Sequence, residues 1–151
     1  MADQNEVRDI LQDLIETNRD GQNGYREAAE HIKDPEIRSF FQEQSLERAR
    51  FAGELEDLIR EFGESNPDRS GSVAGTLHRK WIDAKSALGG SDHTILESAE
   101  QGEDSAKKAY EKALSASLPA NVIEVVGRQA ESVRAAHDHV KMVRDRLKKA
   151  A

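Results

Sequence analysis

Residues 37–62 read IRSFFQEQSLERARFAGELEDLIREF. Apolar side chains recur in this stretch at intervals of three and four, which places them on one face of an α-helix. The middle of that face is polar, because Gln44 falls where a large apolar residue is expected and Glu47 follows about one turn later. The stretch therefore predicts a long amphipathic helix whose buried face is interrupted by a polar layer.

The residue pattern of this helix face recurs 85 positions later in the chain. This offset aligns Gln129 with Gln44, and it repeats the apolar positions over residues 122–147. The same offset aligns Tyr110 with Tyr25. Because one offset holds over two helices and the turn between them, it predicts a duplicated helical hairpin. Two hairpins that each expose an apolar face are expected to bury those faces on each other as a four-helix bundle.

The turn signals divide the chain into two hairpins and a long connection. The first helix is expected over about 5–32, and Asp34 and Pro35 favour a cap and a first turn at the start of the next helix. Hairpin 1 then covers about 5–62, a crossover covers 63–91, and hairpin 2 covers about 92–148. The predicted fold is all-α: one domain over 1–151, with two repeated hairpins joined by a crossover that contains a short fifth helix.

Composition narrows the classes of partner. The formal charge is -7 and the charged residues are well mixed, whereas a nucleic-acid surface needs a basic stripe. No apolar run approaches the roughly 20 residues of a membrane span, and the chain begins with acidic and polar residues unlike a signal peptide. There is no cysteine for a disulfide or a thiolate site. We expect a cytoplasmic protein that binds neither nucleic acid nor a membrane, with a homo-oligomer left open.

Five runs of sequence carry a resemblance to a known family. The chain resembles small bacterial ferritin-like proteins of unknown function through LIETNRDGQNGYREAAE, QSLERARFAGEL, SGSVAGTLHRKWID, GEDSAKKAYEKAL and AAHDHVK. These runs extend over nearly the whole chain but consist of helix faces and glycines, with no catalytic signature. The resemblance implies a ferritin-like bundle and a setting in bacterial stress, and it implies no particular activity.

A ferritin-like dinuclear metal centre needs one Glu from each of two helices and Glu-x-x-His from the other two. At the middle of the bundle this sequence offers two carboxylates, three amides and no histidine: Asn18, Gln44, Glu47, Glu103 and Gln129. Neutral amides are poor ligands for a charged metal pair, but they donate and accept hydrogen bonds. We therefore predict a degenerate metal site, with no cofactor, whose residues form a buried hydrogen-bonded layer.

Two alternatives remain for the carboxylates of this layer. Glu47 and Glu103 either bind a single iron or manganese ion, or they face solvent or pair with Arg48, Arg50 or Lys107. The second alternative needs no metal.

Other residues admit more than one interpretation. Tyr25 and Tyr110 fit buried tyrosines bonded to a partner helix better than redox tyrosines beside a metal. His137, on the inner edge of the last helix, can pair with a carboxylate or a buried water. Gly21 and Gly24 predict a neighbouring backbone that comes close, unless they are merely tolerated on an exposed face.

The crossover helix carries the only tryptophan of the chain. Its apolar edge consists of Val73, Leu77, Trp81 and Leu88, and it either packs within the chain or forms an interface. For function, the sequence favours a non-catalytic bundle, not an enzyme, that oligomerises or binds a partner. The alternative is a carboxylate metal protein that stores or oxidises iron or manganese with a reduced set of ligands.

Overall fold

The computed structural model describes residues 3–63 and 91–150, with side chains up to residue 148. It contains four helices: α1 Gln4–Ala29, α2 Pro35–Arg60, α3 Asp92–Leu114 and α4 Ala120–Ala150. No strand occurs among these residues, so the prediction of an all-α protein with four long helices is confirmed for them. The predicted fifth helix, with Trp81, lies outside the described residues.

The turn between α1 and α2 is as tight as its sequence predicts. The carboxylate of Asp34 accepts hydrogen bonds from the backbone N–H groups of Glu36 and Ile37, at 2.9 and 3.1 Å. Pro35 occupies the first turn of α2, where its missing N–H costs nothing. Asp34 therefore ends the turn and begins the second helix.

The start of α3 is attached to that same turn. Ser91 caps α3 by accepting a hydrogen bond from the backbone N–H of Thr94. The carboxylate of Asp92 instead reaches the first hairpin and accepts from the backbone N–H groups of Lys33 and Asp34, each at 2.9 Å. The beginning of the second hairpin is thus fixed to the turn of the first.

The helices pack as two hairpins, with α1 against α2 and α3 against α4, and the hairpins meet mainly through α1 and α3. One apolar cluster joins the start of α1, the end of α2, the end of α3 and the start of α4, and a second cluster joins the opposite ends. Therefore α2 and α3 run in the same direction. Gly63 and Ser91, on either side of the connection, lie at opposite ends of the bundle.

Polar side chains separate the two apolar clusters. Along α1, Asn18 lies between Leu14 of the first cluster and Tyr25 of the second. Arg48 on α2 and Glu103 on α3 occupy the equivalent intermediate positions. None of the four described helices combines the length and the apolarity that a membrane crossing requires.

Candidate functional site

The centre of the bundle contains an ion pair between α2 and α3. Nη2 of Arg48 lies 2.8 Å from the carboxylate of Glu103, and the side chains are 1% and 0% exposed. The hydroxyl of Tyr25 on α1 donates a hydrogen bond to the same carboxylate at 2.9 Å. The charge of Glu103 is therefore balanced by a guanidinium and further stabilised by a hydroxyl donor.

The protonation states in this group follow from its surroundings. Burial disfavours the charged form of Arg48, but the adjacent Glu103, with smaller contributions from Tyr25 and Tyr110, offsets burial and raises the pKa of the guanidinium. Burial, and then the negative charge of Glu103, raise the pKa of Tyr25 well above its ordinary value. Arg48 thus stays positive and Tyr25 stays a neutral donor.

A glycine on α1 leaves space for the arginine. A Cβ atom at Gly21 would lie 3.3 Å from Nη1 and 3.5 Å from Cγ of Arg48. The sequence predicts that a neighbouring backbone comes close to Gly21. In the structure the close neighbour is instead the side chain of Arg48. The guanidinium carbon also lies 5.6 Å from the centre of the Tyr25 ring, within the range of a cation–π contact.

A second set of polar contacts is centred on Tyr110. The amide nitrogen of Asn18 donates to the backbone oxygen of Leu14 at 2.8 Å and to the hydroxyl of Tyr110 at 2.7 Å. That hydroxyl donates in turn to Oε1 of Gln129 at 2.7 Å, and Gln129 donates to Glu54 at 3.1 Å. Burial raises the pKa of Tyr110, which keeps its hydroxyl protonated. This chain links α1, α3, α4 and the edge of α2.

The two tyrosine contacts are equivalent under the offset of 85 residues. Tyr25 on α1 contacts Glu103 on α3, and Tyr110 on α3 contacts Asn18 on α1. The offset that aligns the two tyrosines also aligns their two partners. Each tyrosine therefore contacts the residue at the equivalent position of the other hairpin, which is the carboxylate of Glu103 in one case and the amide of Asn18 in the other.

Three of the five predicted layer residues are buried, and the other two are partly exposed. Asn18, Glu103 and Gln129 are buried and at most 1% exposed. Gln44 is half-buried, and its Oε1 is enclosed without a hydrogen-bond partner among the described residues. The side chain of Glu47 is 27% exposed and pairs with Arg50 at 3.4 Å.

The two carboxylates considered for a single ion therefore each have their own arginine. Glu47 pairs with Arg50, and Glu103 pairs with Arg48. Val73, Leu77, Trp81 and Leu88, considered for an interface, lie outside the described residues. Sequence reasoning named Arg48 only as a partner and not as a member of the layer, although it follows Gln44 by four residues and so shares its face.

A second polar cluster lies between α3 and α4. Glu100, Asp104 and His137 each offer one ligand atom, and these three atoms lie within 4.8 Å of one another. Nε2 of His137 is 2.6 Å from Asp104, and its Nδ1 is 3.0 Å from Asp138. Pairing of His137 with a carboxylate was one of its two interpretations, whereas Glu100 and Asp104 had no assigned role. The ion pair of Arg144 with Glu100 closes one side of the cluster.

Comparison with known proteins places the chain in a family. Residues 6–116 match the family described as "Domain of unknown function (DUF2383)". The chain belongs to this family. The DUF2383 match begins two residues into α1, includes α2 and α3, and ends before α4 begins. No curated protein matches the chain.

Proposed function

We propose that this DUF2383 protein is a non-catalytic ferritin-like bundle that acts through its surface, as an oligomer or as a binding protein, in the cytoplasm and in a stress-associated setting. The observation that carries the proposal is the guanidinium of Arg48 on the carboxylate of Glu103, 2.8 Å away at the centre of the bundle. In this proposal an internal cation replaces the metal ions that a ferritin-like centre would bind.

The residues of the layer do not fit a dinuclear metal centre. Such a centre needs several anionic oxygens and two imidazoles. Among the described residues at most 1% exposed in this layer, Glu103 is the only carboxylate, and the others are an arginine, amides and phenols. A guanidinium cannot be deprotonated in a protein, so a metal ion here would meet a fixed positive charge.

Two features support the ferritin-like plan with a duplicated hairpin. The parallel course of α2 and α3 requires a connection between opposite ends of the bundle, as in ferritin-like topologies. The equivalence of the Tyr25–Glu103 and Tyr110–Asn18 contacts supports an origin of the two hairpins from one.

The layer has a structural role in this proposal. Buried polar and ionic groups fix register and pairing in some helical proteins, where they add little net stability. Arg48 belongs to hairpin 1 and Glu103 to hairpin 2, so each hairpin supplies a charge that only the other neutralises. Exposed apolar residues on the outside, Leu46 at 73% and Met142 at 52%, are available for contacts with a partner.

Elemental analysis of protein purified without chelators tests the absence of a dinuclear centre. We expect no pair of tightly held iron or manganese ions per chain, and iron(II) oxidation in air at the rate of the buffer alone. Glu103→Gln should behave as the unmodified chain in both measurements. Two ions per chain that disappear in Glu103→Gln would contradict the proposal and favour the carboxylate metal protein.

Sedimentation velocity tests the oligomer. A species whose mass is a multiple of 16.8 kDa would support it. A single-chain mass at every concentration would contradict an oligomer.

A further inference from the structure

His137 is held between two carboxylates, one from each helix of the second hairpin. Its Nδ1 lies 3.0 Å from Oδ1 of Asp138 on α4, and its Nε2 lies 2.6 Å from Oδ1 of Asp104 on α3. A neutral imidazole has one N–H and can donate to only one of the two. The other nitrogen then presents its lone pair to an anion. That contact is favourable only with a cation between them, either a proton or a metal ion.

Glu100 brings a third ligand to the same point. It precedes Asp104 by four residues on α3, and the three ligand atoms lie within 4.8 Å of one another. Ligand atoms that share a zinc ion lie roughly 3–4 Å apart, as bond lengths of about 2.0–2.2 Å in a tetrahedral site require. A shared ion therefore requires the wider separations to shorten and the 2.6 Å contact between Asp104 and His137 to lengthen.

The contact with Asp138 is the one that orients a metal-binding histidine. Such a histidine usually donates its second N–H to a carboxylate, which fixes the tautomer and directs the other nitrogen at the metal. Asp138 is suited to this role because its Oδ1 lies within hydrogen-bonding distance of Nδ1 of His137, at 3.0 Å. Nε2 is then left for the ion, on the side where Asp104 and Glu100 lie.

We propose that Glu100, Asp104 and His137 bind one divalent metal ion of the zinc class between α3 and α4. One imidazole and two carboxylates form a mixed nitrogen and oxygen set that suits zinc, and three protein ligands leave a position for water. The side chain of His137 is 9% exposed, whereas that of Asp104 is 44% exposed and gives the ion access from solvent. This site is separate from the Arg48–Glu103 layer.

Basic groups around the cluster weaken its affinity for a metal ion. Arg144 contacts Glu100 directly, and Lys107 and Arg134 act on the neighbouring Asp138. Arg144 has a second partner, however, because its Nη2 lies 2.8 Å from Asp145. It can keep that contact while Glu100 turns toward an ion. Removal of the Arg144 charge should therefore strengthen metal binding, and removal of the Glu100 charge should weaken it.

Calorimetric titration of the full chain with zinc chloride measures the site. We expect saturable binding of one ion per chain, weakened at least about tenfold by Asp104→Asn, Glu100→Gln or His137→Gln, by analogy with the loss on mutating groups that support a metal. Arg144→Gln should bind more tightly. Cobalt(II) should give visible absorption bands that His137→Gln removes. Circular dichroism of each variant checks that the fold is retained.

His139→Gln is the matched control, because His139 is an exposed histidine on the same helix whose ring contacts Phe40. Its zinc binding should equal that of the unmodified chain. The proposal is overturned if zinc does not saturate the unmodified chain, if Asp104→Asn binds equally well, or if His139→Gln loses as much affinity as His137→Gln. The cluster would then be an ion-pair contact between two helices. The outcome is independent of the Glu103→Gln experiment, which tests the centre of the bundle.

Discussion

Arg48 and Glu103 form an ion pair that joins the two hairpins through the interior, with 2.8 Å between them and neither side chain more than 1% exposed. Taking two charges out of water costs about as much as their attraction returns, so such a pair adds little net stability. Loss of one partner is a different case, because the other charge stays buried without compensation. The main effect of the pair is therefore on the specificity with which the two hairpins pack against each other.

Removal of the arginine should destabilise the protein strongly. Arg48→Met leaves Glu103 charged and buried, and we expect the free energy of unfolding to fall by about 3–5 kcal/mol. Urea denaturation followed by circular dichroism measures this. Arg50→Met is the matched control on the same helix: the Arg50 side chain is 69% exposed, and its loss should change stability by less than about 0.5 kcal/mol.

Removal of both charges should restore part of the stability. We expect Arg48→Met combined with Glu103→Leu to be more stable than Arg48→Met alone, because no uncompensated charge remains in the interior. The double-mutant cycle from urea denaturation gives the coupling between the two residues. Strictly additive losses would show that the two side chains contribute independently, contrary to the geometry.

Three glycines in helices should respond differently to alanine. An added Cβ at Gly53 or Gly127 would meet no atom within 4 Å beyond its chain neighbours and the nearby backbone of its own helix, so alanine there should raise the free energy of unfolding by up to about 1 kcal/mol through helix propensity. Gly21→Ala should gain less or lose stability, since its Cβ meets Arg48 at 3.3 Å. Thermal melts of the three variants compare them. Equal gains at all three positions would contradict a close fit between Gly21 and Arg48.

The hydroxyl of Tyr110 should contribute measurably to the stability of the fold. Tyr110→Phe leaves Oε1 of Gln129 without its donor and removes one acceptor of Asn18, both buried. We expect a loss of about 1–3 kcal/mol in urea denaturation, which is the cost of unsatisfied buried polar groups. Unchanged stability would contradict the contribution assigned to the contacts of this hydroxyl.

Acid should remove the contribution of Glu54. A hydrogen bond from Arg128 lowers the pKa of Glu54 below its ordinary value of 4.5. Its stabilisation is therefore complete above the pKa of the unfolded chain and is lost as the pH falls through the lower value of the folded protein. The side chain is 33% exposed, so the effect should stay below about 1 kcal/mol. Glu54→Gln should abolish this part of the acid dependence in urea titrations, while a profile unchanged by the substitution would contradict the contact.

Much of the fold could be predicted because it depends on local patterns. The spacing of apolar residues places the second helix at 37–62, within two residues of Pro35–Arg60 at each end. Asp34 and Pro35 locate its start because capping involves only neighbours in the chain. These features need no knowledge of how the helices pack.

The site could be predicted only in part, because its details depend on packing between helices. Periodicity identifies a polar layer but does not decide which long side chain extends inward. Glu47 and Arg48 are adjacent, and Arg48 enters the core because Gly21 on another helix leaves space for it. Asp104 and His137 meet because of the rotation of α3 against α4, which no local pattern specifies.

The two halves of the ion pair are made at different times during synthesis. The ribosome completes the first hairpin, with Arg48 on its inner face, well before it adds Glu103. Until then the hairpin can close its apolar surface only by enclosing a lone cation, and a second copy of the same hairpin would bring another cation to it. From this order of synthesis we expect the nascent chain to resist premature or like-with-like association until its own second half emerges.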